Sequence, residues 1–398
     1  MKNNIMKCFS LEGVLVDSWS VESDILIKVR SPRTYAYCPR CTESTHKVHS
    51  TGHRKILHDV FGGKRVILNL LVRRFKCGCH AQPFTEWHPP GITKKRYTER
   101  FAKSVVTRLS TSNFLETAKS HRVSIPTVLA IAKERQRTIP LPEGEIILNV
   151  DEHSYRGRDM KTSVGAANHH KILAVLKDDR QSTLIRYLNS WPSEARNRVK
   201  EACIDMKTSY LYAIEEVLPQ AKIVVDHFHV VREMNRQVDD MRRLLQQNGM
   251  IGKLKINRFL LVKGKERLTS EEMERLKKVF KSFKKYPTLK EAYFVKEKVR
   301  EIYTSTNRNE AERKLDMLLS QLEHYEVGKL SEMRDTLIRW KPYILNFFER
   351  RTTNAFIEGC HNKIKLVKRL SYGFRNLENY ILRITLAFAP LLFTHFSH

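Results

Sequence analysis

Residues 199–231 read VKEACIDMKTSYLYAIEEVLPQAKIVVDHFHVV. Two short apolar runs, 202–204 and 221–225, each stop at an aspartate, Asp205 and Asp226. Between them, 210–217 carries its apolar residues at helical spacing. Upstream, 145–150 is a further apolar strand, and it stops at Asp151. Two more strands are expected at 164–176 and 182–188, with a helix near 192–200. Three strands followed by alternating helix and strand predict a mixed α/β sheet. Strand ends beside a sheet crevice are where function collects in such folds. One aspartate there is commonly a turn former or helix cap, but three in one sheet point to a site.

Working toward the N-terminus, 138–144 (TIPLPEG) reads as a linker, and 95–137 as helical. Ser124 is an expected N-cap, with Pro126 in the first turn, where its missing N–H costs nothing. Helix, turn and helix over 113–133 fit a helix-turn-helix, whose second helix, 124–135, would enter the major groove. Its candidate DNA contacts are Ser124, Thr127, Lys133 and Arg135. Pro89-Pro90-Gly91 is a breaker cluster and a plausible boundary. Before it, 25–29 and 65–75 read as strands, and four of the seven cysteines form two close pairs, Cys38-Pro39-Arg40-Cys41 and Cys77-Gly78-Cys79. Two tight turns that each offer two thiolates suit structural Zn²⁺, and the interval between them has room for the strands of a zinc ribbon. His80 is an alternative fourth ligand. Cys8, Cys203 and Cys360 read as ordinary buried cysteines.

Toward the C-terminus, 230–350 shows no strand. It is helical and basic, with Lys277, Lys278, Lys281, Lys284 and Lys285 close together, and it carries a capping box of Thr269 with Glu272. A last helix spans 353–370. One face of it carries Asn354, Glu358, Asn362, Lys365 and Arg369, and an apolar face carries Ile357, Cys360, Ile364 and Val367. Lys363, Lys368 and Arg375 make the surroundings favourable for phosphate.

The 398 residues hold 72 Lys+Arg against 43 Asp+Glu, a net charge of +29, with 41% hydrophobic residues. This excludes a disordered basic tail and points to a folded protein that meets a polyanion, nucleic acid above all. No apolar run approaches the ~20 residues that span a bilayer, and the first residues, MKNNIMKCFSLEGV, lack the apolar stretch of a secretory signal. Carboxylates converging in a basic setting suit Mg²⁺ or Mn²⁺ and phosphodiester chemistry, in which hard cations activate a hydroxyl and stabilise the leaving oxygen.

The chain resembles the bacterial insertion-sequence transposases of the ISL-three family, which use a DDE triad. The resemblance rests on CPRC with THKVHS (45–50), VRRFKCGC (72–79), NVDEHS (149–154), DMKTSYLYAIEEVLPQAKIVVDHFHVV (205–231) and TTNAFIEGCHNKIKLVKRLSYGFRNLENY (352–380). It implies a ribonuclease-H-like catalytic core split by an all-helical insertion, preceded by the zinc ribbon and the helix-turn-helix. The implied layout is a zinc ribbon at 1–90, a helix-turn-helix at 91–140, the core at 141–232, the insertion at 233–345 and the last core helices at 346–398.

Carried over, the triad falls on Asp151, Asp205 and Glu358, and the family's D-x-x-H element on Asp226 and His229. Which of Asp205 and Asp226 is the metal ligand stays open on the sequence; Asp205 is the choice made here, with Asp226 and His229 supporting. Cys38, Cys41, Cys77 and Cys79 would hold zinc, although the second pair is tighter than the family's usual spacing. Asn362, Lys365, Lys368 and Arg369 join the expected DNA contacts. The implied activity is cleavage at terminal inverted repeats, followed by attack of the freed 3′-hydroxyl on target DNA. A homo-oligomer on DNA and a cytoplasmic, nucleoid-associated location in a bacterium are further expectations. The competing readings are a non-catalytic DNA-binding regulator and a metal-dependent nuclease that cuts without joining.

Overall fold

The computed structural model describes residues 6–86, 92, 95–136, 139–247, 257–282, 288–326 and 328–388. The Pro89-Pro90-Gly91 boundary and Lys284 and Lys285 lie outside the described residues. The chain forms two compact units, 1–138 with 364–398, and 139–363.

In the first unit, β1 (Leu15–Val21), β2 (Ile25–Arg30), β5 (Val48–Phe61), β6 (Lys64–Cys77) and β7 (His80–Thr85) make one sheet in the order β1-β2-β6-β5, with β7 also on β6. The short β3 (Ala36–Tyr37) and β4 (Ser44–Thr45) pair separately. The long β5–β6 hairpin turns at Gly62-Gly63. Both have positive φ (56° and 73°), as a two-residue turn between twisted strands requires. Ile25, Ile27, Val29, Ile56, Val66, Leu68 and Leu70 alternate onto one buried face.

Three helices follow: α1 (Glu99–Thr111), α2 (Phe114–His121) and α3 (Ile125–Glu134). Each is capped by a side-chain oxygen, Thr98, Asn113 and Ser124, that accepts from the third residue on. Their core of Phe101, Val105, Leu109, Val128 and Ile131 also takes in Leu382 and Leu386. His58 bridges Phe9 O (2.7 Å) and Thr98 Oγ1 (3.1 Å) under this core.

In the second unit, β8 (Ile146–Arg156), β9 (Asp159–Ala166), β10 (Lys171–Val175), β11 (Val199–Ile204) and β12 (Lys222–Val225) lie in the order β10-β9-β8-β11-β12. The first three are antiparallel neighbours; β11 is parallel to both β8 and β12. Two expectations are corrected. Residues 164–176 are not one strand but the end of β9 and the whole of β10. The turn between them is held by Asn168, which accepts from Ile147 N and donates to Glu145 O. Residues 182–188 are not a strand but lie in a helix, α4 (Gln181–Asn189), because Leu184 and Leu188, four apart, are the side chains buried. The helix near 192–200 is confined to α5 (Ser193–Asn197), and α6 (Thr208–Val217) links β11 to β12.

The strand-free stretch consists of α7 (His227–Gln247), α8 (Arg258–Val262), α9 (Ser270–Ser282), α10 (Thr288–Ile302), α11 (Arg308–Leu322) and α12 (Lys329–Arg350). The capping box is formed: Thr269 N donates to Glu272 Oε2 (2.8 Å) and Glu272 N to Thr269 Oγ1 (3.2 Å). Fully buried Lys296 donates to Leu261 O and Lys263 O at the end of α8. No helix among the described residues is long and apolar enough to cross a membrane.

Finally, α13 (Ala355–Leu370) begins in the second unit and ends in the first, and α14 (Leu377–Phe388) follows. Gly165 on β9 lets α13 lie close to the sheet: a Cβ there would stand 3.1 Å from the Phe356 ring and 3.5 Å from Ile357. Gly165→Val is therefore expected to cost about 1–3 kcal/mol in denaturant unfolding by overpacking this contact.

Burial holds His58 below its ordinary 6.5. A group whose folded pKa is depressed stabilises the fold above its unfolded value and loses that contribution as pH falls through the folded value. Thermal melts are expected to show the midpoint dropping from pH 7 to pH 5, with a shallower drop in His58→Gln.

Candidate active site and metal centres

The register places the acids. Val150 pairs with Ile204, and Ile204 with Val225, so Asp151, Asp205 and Asp226 come next on three neighbouring strands, with Asp205 in the middle. Asp205 and Asp226 follow strand ends, but the expected stop at Asp151 is corrected: β8 runs on to Arg156 because it stays paired with β9 there, and only its ladder with β11 ends at Val150. All three are buried, at 4%, 6% and 2% exposure. Their side chains meet different fates. Asp226 accepts from Phe228 N (2.7 Å) and Asn354 N (2.5 Å), so its two oxygens serve the starts of α7 and of the segment leading into α13. Asp205 accepts from Met206 N (2.8 Å), His229 Nδ1 lies against Oδ1, and Arg232 stands 3.4 Å from Oδ2. Asp151 accepts from Glu152 N (2.7 Å) and has His361 Nδ1 at 3.6 Å.

Asp151, Asp205 and His229 offer ligand atoms within 4.8 Å of one another. His229 Nε2 is buried with no hydrogen-bond partner among the described residues. Two carboxylates and an unsatisfied ring nitrogen are a donor set that accommodates a divalent cation. Burial pushes Asp151 up to about 6, countered by His229 and reinforced by the charges of Asp205 and Glu358. Burial also opposes ionisation of Asp205, but the bond to His229 and the charge of Arg232 hold its carboxyl below the usual range.

Glu358 lies in the first turn of α13 and is exposed. It is not part of the buried trio, but its charge acts on Asp151. What brings it there is Asn354: its backbone N–H donates to Asp226, and its Oδ1 accepts from Asn149 Nδ2 on β8 (2.8 Å). One turn beyond Glu358, buried His361 reaches Ser163 Oγ through Nε2 (3.1 Å), and Ser163 also meets His153 Nδ1 (2.8 Å). The two imidazole rings are 5.0 Å apart.

Asn149, His153, Ser163 and His361 escaped the sequence reading. Two carried a signal: His153 is two residues from Asp151 on a strand, and His361 three from Glu358 on a helix, so each shares its neighbour's face. Lys207, two residues after Asp205, pairs with Glu152 (2.7 Å) and Asp179.

Of the expected DNA contacts, Ser124 and Thr127 join each other at 3.0 Å in the cap of α3. Lys133 is exposed, 4.0 Å from Glu378, and Arg135 forms a two-point pair with Glu99. Asn362, Lys365 and Arg369 are exposed on α13 and Lys368 is half-buried.

Four of the cysteines converge in the first unit; of the other three, Cys203 and Cys360 are buried as expected, whereas Cys8 is exposed. Cys38 and Cys41 occupy the turn after β3, Cys77 ends β6 and Cys79 lies in the turn to β7. The four sulfurs lie within 4.8 Å of one another, with Cys38–Cys79 and Cys41–Cys77 both at 3.5 Å. Burial works against ionisation of Cys38, but the N–H groups of Cys41 and Arg40 hold its thiol down to about 6. Cys79, crowded by Cys41 and the other sulfurs, is pushed up to about 12. Four thiols this close ionise together only around a cation, so the set fits zinc. His80 Nε2 stands 3.4 Å from Cys38 Sγ, beside a complete set of four sulfurs.

Comparison with known proteins agrees with this geometry. The profile of the ISL3 DDE transposases, described as a transposase, matches residues 148–384. The profile of the zinc-finger of transposases IS204/IS1001/IS1096/IS1165 matches residues 35–80. The transposase for insertion sequence element IS1001 of Bordetella parapertussis is 26% identical over 361 residues, 88% of each chain. The transposase for element IS1557 of Mycobacterium tuberculosis is 23% identical over 267 residues, 58% of this chain and 57% of that one.

Elemental analysis of the purified chain is expected to find about one zinc per chain, lost in Cys38→Ser and retained in His80→Ala.

Proposed function

Because this chain belongs to the ISL3 family of DDE transposases, an enzyme class that acts on DNA, we propose that Asp151, Asp205 and Glu358 are its catalytic triad. The observation that carries this assignment is the buried convergence of Asp151 on β8, Asp205 after β11 and His229 on α7, with Glu358 on the helix anchored beside them. The strand order β10-β9-β8-β11-β12 supports a ribonuclease-H-like core. In that reading α7–α12 form most of an insertion between the core strands and the last core helices. The proposed layout keeps the divisions 1–90, 91–140, 141–232, 233–345 and 346–398.

Between the two candidate second acids, the hydrogen bonds favour Asp205. Asp226 is committed to two backbone N–H groups. Asp205 has a carboxylate oxygen within 4.8 Å of one of Asp151 and is oriented by His229, so in this reading Asp226 and His229 support the site. Bound Mg²⁺ or Mn²⁺ supplies charge neutralisation at the phosphodiester and a lowered pKa for the attacking water or 3′-hydroxyl. Asp151 and Asp205 would hold it from the sheet, and Glu358 from α13.

We assign α2 and α3 to a helix-turn-helix, with Ser124, Thr127 and Lys133 toward the terminal inverted repeats. Arg135, paired with Glu99, steadies the end of α3. Asn362, Lys365, Lys368 and Arg369 would hold DNA phosphates. A homo-oligomer on paired DNA ends, in the nucleoid, completes the reading.

The test is a strand-transfer assay with labelled duplex carrying the ends of the element, with Mg²⁺ or Mn²⁺. Asp151→Asn, Asp205→Asn and Glu358→Gln are expected to abolish both cleaved and joined products while leaving end binding largely unchanged. Asp226→Asn, which alters a support of the site, is expected to lose about 10–100-fold. A dead Asp226→Asn beside an active Asp205→Asn would reverse the assignment. Cleavage without joining in the wild type would identify a nuclease.

A further inference from the structure

Tyr372 is 96% exposed, more than any other large apolar or aromatic side chain among the described residues. It ends α13. Gly373 N donates to Lys368 O and Tyr372 N to Arg369 O, each at 3.0 Å. This pair of bonds defines a helix-terminating turn whose first residue past the cap takes left-handed backbone, a position usually given to glycine. Here Tyr372 occupies it, at φ 51°, and Gly373 follows at φ 86°. A bulky residue in that conformation carries strain. The ring recovers none of it by packing, because it stands in solvent.

The surroundings are strongly cationic. No acidic residue occurs between Glu358 and Glu378, while Lys363, Lys365, Lys368, Arg369 and Arg375 fall in that interval. Leu366 and Leu370 on the same helix are 51% and 41% exposed. The turn is fixed from outside by Asn113 Nδ2, which donates to Leu370 O at 2.7 Å. An exposed ring on an anchored turn, bordered by cations with no acid, combines the two elements of a single-strand site: a face for a base and charge for its phosphates.

We infer that Tyr372 is a base-stacking platform, which receives the face of an unpaired nucleobase while Lys365, Lys368 and Arg369 hold phosphates of the same strand. The inference rests on the DNA reading of the chain and adds to it a site for unpaired bases.

The test uses the full chain and two probes, a blunt duplex and the same duplex with a three-nucleotide 3′ tail carrying one 2-aminopurine. Wild type is expected to quench the tail fluorescence. Tyr372→Gly, which relieves the backbone strain, is expected to melt no lower than wild type. It should nevertheless lose the quenching and bind the tailed duplex about tenfold more weakly. Its blunt-duplex affinity and its salt dependence should be unchanged, and Tyr372→Trp should restore quenching. Lys365→Ala should lower the salt dependence on both probes. Equal quenching and affinity in wild type and Tyr372→Gly would overturn the platform while leaving the DNA reading intact. So would unchanged quenching with reduced self-association in light scattering, which would mark a contact between copies. Wild type that binds neither probe would overturn the DNA reading together with the platform.

Discussion

The amide of Asn354 donates to Asp226, and its side chain accepts from Asn149, tying one helix start to partners 128 and 205 residues away in sequence. The placement of the first turn of α13 depends on this clamp. It joins β8 and the end of β12 to the first turn of α13, and Glu358 sits one turn in from the anchored residue. Without the clamp, nothing would hold Glu358 close enough for its charge to act on Asp151. Gly165 completes the fit by leaving room for the Phe356 ring against the sheet.

The clamp holds together groups that repel. Burial and neighbouring carboxylates raise Asp151, and the sheet places Asp205 next to it. The fold offsets this locally, with His229 and Arg232 against Asp205 and backbone N–H groups on all three aspartates. The zinc-ribbon cysteines repeat the logic with sulfur, where backbone N–H groups draw one thiol down and the crowding of sulfurs pushes another up. In both centres the backbone concentrates anionic ligands that a cation neutralises. Around them the chain carries a net charge of +29, which suits DNA. The acids are thus a small negative site in a positive protein.

Parts of this were legible because they are local. An apolar run ended by an acid located Asp151, Asp205 and Asp226, although only the last two follow strand ends, since β8 runs on past Asp151 in its pairing with β9. The caps at Ser124 and Thr269 are short-range patterns and formed as read. The tight spacings in 38–41 and 77–79 marked a metal centre. Two readings failed where a local signal was weak. The β9–β10 turn contains no glycine or proline and is held by the Asn168 side chain reaching to residues 145 and 147. The helix Gln181–Asn189 contains Thr, Ile and Tyr, which favour strands. Its burial at Leu184 and Leu188 follows a four-residue step that six or seven residues barely reveal.

The sequence alone determined the α/β class of the second unit, the two ligand types, the basic partner surface and the candidate acids, because each is set by residue type at short spacing. Only the tertiary structure shows how the surroundings of Asp205 and Asp226 differ: both follow apolar strands, but Asp226 accepts from two backbone N–H groups while Asp205 meets His229 and Arg232. Only it disclosed His153, Ser163 and His361, which meet across a strand pair and a helix. Contacts between residues more than a hundred positions apart leave no period in a sequence; they arise when burial of the apolar faces brings the segments together.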